Sequence, residues 1–443
     1  MNDLSSSDHF VDIQISESLG KESLMSIDSS NIKDDFVSIA GFFILLAISV
    51  LTGYYGPPKY SSRSYEHYFS TGSVEKCPFS LSKLSNLNRH LSIDIYFSVK
   101  NDFSIENQSV NIDYKFACSK KSSTTMANTG SKMDVRLRSQ PKTNFSNTVH
   151  IFTDHLLNYD YIEGEVLVLG YEGIKSAIVQ VTYGNRINTI YELYIRTAFF
   201  LISSVFFVSF FLRLRKSNMS QWHIEQLFTL LLAFLQLLYN NPFFYLFIKF
   251  PSYISILFMI IINCSLKSFL AVYPVLVFDL FRTKNMKTNS LFFKVSFFIM
   301  CFVAFFSRET YFVFNSLNIK SYDSKLESIF LQIEIFIHSI SLFWTIMKVF
   351  NSMKYVDSTD LYKFKLYTLT IVPFYCMHCL CFVSSSLEWL SNSSLVFMLS
   401  ISPQNIIAMI SIYFHWPYEV LNDQEYMDPS QSTNTNDFFL KEK

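Results

Sequence analysis

No glycine occurs after Gly184, although the chain continues to Lys443. Glycine-rich phosphate loops, glycine selectivity filters and the glycine-broken helices of many transporters therefore have nothing to be built from beyond that point. Charge is scarce as well. Only 16% of residues are charged and the formal net charge is zero, against about 25% charged in an average soluble domain. A chain without a basic field offers nothing to a nucleic-acid partner. The motifs Gly-x-Ser-x-Gly, His-Glu-x-x-His and the phosphate loop are all missing, so the sequence points to no enzyme and implies no cofactor. A cleavable signal peptide is not expected either. Residues 1–35 are polar and Ser-rich, and the first apolar run starts too late and is too long for such a peptide. Residues 1–35 are read as a disordered cytosolic N-terminus.

What the chain has is hydrophobic length. Half its residues are hydrophobic, and 47 are Phe. About 20 apolar residues cross a bilayer, and eight segments qualify: Phe36–Tyr54, Leu193–Leu212, Gln226–Phe244, Tyr253–Leu280, Leu291–Phe306, Ile329–Phe350, Leu366–Ser385 and Leu395–Phe414. Lys and Arg concentrate in alternate loops. Arg213, Arg215 and Lys216 form one group, Arg282, Lys284 and Lys287 another, and Lys348, Lys354, Lys363 and Lys365 a third. The positive-inside rule makes these loops cytosolic. Eight crossings then leave both termini in the cytosol. The expected fold class is a membrane α-helical bundle plus β: a signal-anchor helix (36–54), a lumenal antiparallel β-sandwich (55–192), a seven-helix transmembrane bundle (193–415) and a cytosolic tail (416–443).

The sandwich is read from alternation. Leu91, Ile93, Ile95, Phe97 and Val99 alternate with polar residues. So do Val110, Ile112, Tyr114, Phe116 and Cys118, then Met133, Val135 and Leu137. Val166–Leu169 and Ile178–Val181 are short apolar runs. This period of two predicts antiparallel strands with one wet face. The block holds two cysteines, Cys77 and Cys118. In an oxidising compartment such a pair is expected to form a disulfide, with two buried thiols as the alternative. Asn107, Asn144 and Asn392 open sequons on the lumenal side and are the expected glycosylation sites.

Polar residues inside the bundle are the leading site candidates, because each is costly there. Asn263 and Lys267 lie one turn apart, as do Glu334 and His338. An inward-facing patch of Lys267, Glu334 and His338 has two readings: a site for a headgroup or cation, or a buried ion pair that locks helices. Cys376-Met-His-Cys-Leu-Cys381 has the look of a metal motif, but within an apolar helix it reads as packing. Asp279 and Arg282 read as interfacial anchors. Tyr239-Asn240-Asn241-Pro242 reads as a helix stop, since Pro242 disfavours helix at Asn241, and the two amides can satisfy the freed carbonyls. Phe243 and Phe244 would then sit at the membrane interface. In the tail, Tyr418-Glu-Val-Leu421 and Phe438-Phe439 fit short signals for cytosolic sorting adaptors.

Leu237-Leu238-Tyr239-Asn240-Asn241-Pro242-Phe243-Phe244 resembles the Leu-Leu-Tyr-Asn-Asp-Pro-Phe-Phe signature of the transmembrane protein 181 family, relatives of Wntless. Gly53-Tyr-Tyr-Gly-Pro-Pro58 and Met353-Lys-Tyr-Val-Asp357 resemble the same family. The chain departs from the pattern at Asn241, where the family has Asp, and at Trp416-Pro-Tyr418. The resemblance implies a Golgi-dynamics-like sandwich on a seven-helix bundle. By analogy with Wntless it implies a trafficking receptor or chaperone whose partners are membrane lipid and a lumenal protein or lipid-modified cargo. A transporter or channel, or a signalling receptor, is the alternative. The same analogy, with the helix stop and the polar patch, predicts an acyl-accepting cavity in the lumenal half of the bundle.

Overall fold

The computed structural model describes residues 24–26, 32–69, 74–99, 109–120, 123–138, 145–154, 157–170, 173–217, 219, 222–241, 243–250, 252–281, 288–317, 324–356, 361–385 and 392–418. A two-residue strand β1 (Leu24–Met25) precedes helix α1 (Ile32–Tyr54). Eight strands follow: β2 (Tyr60–Tyr68), β3 (Val74–Ser82), β4 (Leu91–Val99), β5 (Ser109–Lys120), β6 (Ser123–Arg136), β7 (Val149–Asp154), β8 (Tyr161–Leu169) and β9 (Ile174–Gly184). The helices are α2 (Arg186–Leu214), α3 (Ile224–Asn240), the short α4 (Phe244–Lys249), α5 (Tyr253–Leu280), α6 (Thr288–Leu317), α7 (Ser324–Met353), α8 (Leu361–Ser385) and α9 (Ser394–Phe414). Strand β10 (Pro417–Tyr418) ends the described chain.

The sandwich is two four-stranded antiparallel sheets, ordered β2-β9-β4-β7 and β3-β8-β5-β6. Its core holds the predicted alternating side chains: Leu91, Ile93, Ile95 and Phe97 from β4, and Val110, Ile112, Phe116 and Cys118 from β5. β6 departs from the prediction. Met133 is 76% exposed. Two residues of β6, Met133 and Asp134, oppose the single residue Asn111, because the register jumps between Val110↔Val135 and Ile112↔Lys132. Asp134 takes a left-handed φ of 52° and its N–H is held by the Asn111 amide at 2.8 Å. This bulge on an edge strand turns Met133 outward.

The expected Cys77–Cys118 disulfide is not formed. Strand order is the reason. β8 lies between β3 and β5, with Cys77 opposite Val166 and Cys118 opposite Ile162. Two strand spacings and a four-residue offset separate the α-carbons by roughly 16 Å, and a disulfide needs less than about 7 Å. Both thiols are buried in the core, and burial pushes each up to about 12.

Among the described residues, seven helical spans are long and apolar enough to cross a membrane. The 25-residue α8 packs among them against α7 and α9. The centre of the bundle is made by α5 and α9. Every residue from Leu266 to Leu280 of α5 and from Ile401 to Ile412 of α9 is buried, the polar Lys267, Asp279, Gln404 and Asn405 included. α1 packs on α9 through Gly53 and Gly56. A Cβ at Gly53 would lie 2.8 Å from that of Met398, and one at Gly56 would lie 2.7 Å from that of Ser394. β1 pairs with β10, Leu24 opposite Tyr418. The two ends of the described chain therefore meet on one side of the bundle.

The sandwich is fixed to the bundle at the opposite end. A single residue, Asn185, joins β9 to α2 and caps the helix, its side chain accepting from the Ile187 N–H at 3.0 Å. α2 thus starts at Arg186, seven residues before the predicted segment. On the other flank Asn392 accepts from the Tyr60 N–H at 2.6 Å through its side chain and from Lys59 N–H at 2.9 Å through its carbonyl. Ser394, the third residue of that sequon, is buried and bonded to Asn188 at 2.8 Å. This sequon is part of the joint between sandwich and bundle. Asn107 and Asn144 lie outside the described residues.

Candidate ligand cavity between sandwich and bundle

The stop after α3 is built from a different set of contacts than the sequence suggested. Asn241 adopts φ 51°, a left-handed conformation that Asn tolerates better than most residues. Its N–H bonds to the Leu238 carbonyl at 3.0 Å, and its side-chain oxygen accepts from Phe243 N–H at 3.1 Å. That job needs an acceptor oxygen, which Asn supplies as an Asp would. Asn240 does not serve a freed carbonyl. It forms a reciprocal amide pair with Asn405 on α9, at 2.8 and 3.1 Å, and donates to Ser203 on α2 at 3.0 Å. Gln236 joins the network at 3.3 Å. The freed Tyr239 carbonyl is taken by Arg196 of α2, at 3.1 Å. Pro242 lies outside the described residues.

The two phenylalanines part company. Phe243 is 55% exposed, in keeping with an interfacial position, whereas Phe244 is buried. The Arg89 and Arg196 guanidinium groups lie 5.0 and 4.9 Å from the Phe244 ring centroid. Arg196 also lies over Tyr239 and Phe397, at 5.5 and 5.3 Å.

Beside this stop is a cavity of about 350 Å³. Its polar wall includes Asn86, Arg89, Arg196, Asn241, Asn263 and Glu309. Its apolar wall includes Leu238, Phe247, Ile256, Met259 and Ile260. Asn86, Arg89 and Leu157 come from the sandwich and the rest from the bundle, so neither unit forms the site alone. The size falls within the range of small-molecule sites, roughly 300–1,000 Å³.

Lys267 and Glu334 stand behind the cavity wall, not on it. Lys267 Nζ is 3.2 Å from Glu334 Oε1 and 3.2 Å from Glu309 Oε1. Arg308 closes the group on the other Glu334 oxygen. Two cations and two carboxylates balance, which supports the ion-pair reading of these residues. Lys267 alone would cost about 2.5–3.5 kcal/mol at the centre of a bilayer. His338 sits one turn further along α7, its Nδ1 donating to the Glu334 carbonyl at 2.9 Å. Its ring lies 5.9 Å from that of His378, and Gln404 contacts the His378 Nδ1 at 3.3 Å. Asn263 lies on the cavity wall one turn from Lys267. The predicted polar residues are thus brought close, but into a cavity wall, an ion cluster and a histidine pair.

Sequence reasoning missed Arg308 and Glu309. The hydropathy boundary ended that segment at Phe306, yet α6 runs to Leu317, with Arg308 paired to Glu334 and Glu309 to Lys267. A Ser-Arg-Glu run directly after an apolar segment was the available signal. Asp279 was misread as an interfacial anchor. It is buried at the other end of α5 and bonds Lys294 and Lys348, each at 2.5 Å. Arg282 lies outside the described residues.

A first long helix, a two-sheet antiparallel sandwich and a bundle of seven further long helices define a multi-pass membrane protein. Residues 186–419 match the family model for the Wntless-like transmembrane domain. The chain belongs to this family. No curated protein matches it.

Proposed function

We propose that this protein is a non-enzymatic cargo or ligand receptor of the secretory pathway that holds an acyl-bearing ligand across the boundary between sandwich and bundle. One observation carries the reading: the cavity beside the α3 stop is lined by both units, Asn86, Arg89 and Leu157 from the sandwich and, from the bundle, an apolar wall of Leu238, Ile256, Met259 and Ile260 together with Arg196, Asn263 and Glu309. A ligand with a protein part outside the membrane and an acyl part within it would use both walls. In this reading the sandwich is lumenal, both termini are cytosolic, and the protein resides in Golgi, endomembrane or plasma membrane. The Lys and Arg bias of the loops and the pairing of β1 with β10 support that orientation. Cytosolic adaptors would act on the tail beyond Trp416.

The test is metabolic labelling of cells with an alkyne fatty acid, followed by capture of the tagged protein and detection of acylated secretory proteins bound to it. Recovery of such proteins with the unaltered chain and their loss with Met259→Trp, which fills the cavity, is the expected result. Equal recovery with both would remove the cavity from the proposal. No recovery with either would end the cargo reading.

A further inference from the structure

The charge balance at the cavity differs between its two sides. On the bundle side, Lys267, Arg308, Glu309 and Glu334 neutralise one another, and Glu309 alone of the four reaches the cavity wall, already paired with Lys267. At the rim, two guanidinium groups stand beside one carboxylate, and that carboxylate pairs with Arg89 alone. Arg89 donates to Glu192 at 2.9 Å, and Glu192 is also held by Asn188 at 3.0 Å. Among the described residues no carboxylate pairs with Arg196. Both guanidinium groups stand over the same Phe244 ring, so the two cations are held within about 10 Å of each other.

Arg196 is also immobilised. Nη1 is fixed on the Tyr239 carbonyl, three aromatic rings surround the guanidinium plane, and Nε is buried without a hydrogen-bond partner. A guanidinium that is partly desolvated, rigid and without a counter-ion is a ready acceptor for a carboxylate or phosphate, whose oxygens match its fork. The neighbouring wall takes the opposite chemistry. Leu238, Ile256, Met259 and Ile260 form an apolar surface in the same cavity.

We propose that the cavity takes an anionic amphiphile: an alkyl chain along Met259 and Ile260 that ends in a carboxylate or phosphate head on Arg196. This rests on the acyl-site reading above and adds the charge of the head. Arg196 discriminates the head and the apolar wall is indifferent to it.

The test uses the purified full-length protein in nanodiscs. It is photolabelled with a diazirine fatty acid, the fatty alcohol of the same chain and a diazirine lysophosphatidate. Peptide mapping then locates the label. At least one acidic probe is expected to label the segment around Met259 and Ile260 roughly tenfold more than the alcohol. The stronger of the two acids identifies the head as carboxylate or phosphate. Arg196→Gln should lower acid labelling to the alcohol's level and leave alcohol labelling unchanged, while Arg196→Lys should retain part of the preference. Equal labelling by acids and alcohol in the unaltered protein would overturn the anionic head and leave the acyl site standing. No labelling of the cavity by any probe would overturn both. The head-group comparison is made on the unaltered chain, so it holds whether or not the Arg196 variants fold.

Discussion

Lys267 on α5 lies 3.2 Å from Glu334 on α7, and the same ammonium lies 3.2 Å from Glu309 on α6. One side chain therefore ties three helices at a single level of the bundle. Both Lys267 and Glu334 are buried, so the pair has no water to fall back on.

That arrangement makes Glu334 a stability residue. Glu334→Ala leaves Lys267 and Arg308 with only Glu309 to share. Removing one member of a buried pair costs about 3–5 kcal/mol. A clear fall in the midpoint of thermal unfolding in detergent is expected. The double variant Lys267→Met with Glu334→Leu should recover part of it, since Glu309 and Arg308 remain to pair with each other. An unchanged midpoint for Glu334→Ala would show that the cluster does not hold the helices.

The core thiols give a pH dependence. Cys77 and Cys118 ordinarily ionise near 9.0, and burial raises each to about 12. Between these values the unfolded chain releases protons that the folded one keeps, so stability falls as pH rises from 9 toward 12. Below 9 neither state ionises the thiols and they contribute no slope. The unfolding midpoint should therefore fall more steeply in this window for the natural chain than for Cys77→Ala with Cys118→Ala. Alkylation without reductant should reach both sulfurs only after denaturation, with no disulfide-linked peptide in mass spectrometry.

Gly53 sets the distance between α1 and α9. A side chain there meets the Met398 side chain at 2.8 Å and the Leu395 backbone at 3.0 Å. Backbone cannot step aside, so Gly53→Val should cost about 1–3 kcal/mol by overpacking. Gly41, beside which a Cβ meets nothing within 4 Å, is the control. Gly41→Val should leave the midpoint of thermal unfolding in detergent nearly unchanged while Gly53→Val lowers it.

Orientation is checked by glycans and protease. Glycosidase should shift the chain on a gel through Asn107 and Asn144. Asn107→Gln with Asn144→Gln should abolish the shift, because Asn392 and Ser394 are engaged in the joint to the sandwich. Tags at both ends should be cleaved in sealed microsomes. Protection of either tag would overturn the topology.

Much of the site was legible only as ingredients. The alternation in β4 and β5 revealed two strands of the sandwich because a strand buries every second residue whatever its neighbours are. β2 and β3 were harder to see. β2 is largely polar, and β3 carries Pro78, which its place at the edge of the sheet tolerates. Asn263, Lys267, Glu334 and His338 stood out because charge and amides are conspicuous in apolar helices. Which of them pair, and which face the cavity, depended on the neighbouring helices.

By itself the sequence determined the long helices, the insertion between the first and second of them, and the inward turn of their polar residues. Those features follow from the local cost of exposing polar groups to hydrocarbon. The tertiary structure decided the rest. It placed β8 between the two cysteines, set Asn240 against Asn405, extended α6 so that Arg308 and Glu309 complete an ion cluster, and brought Arg89 of the sandwich and Arg196 of the bundle to the same ring. These are contacts between segments distant in the chain. Their partners are chosen by how strands order and helices pack, which no local pattern of residues encodes.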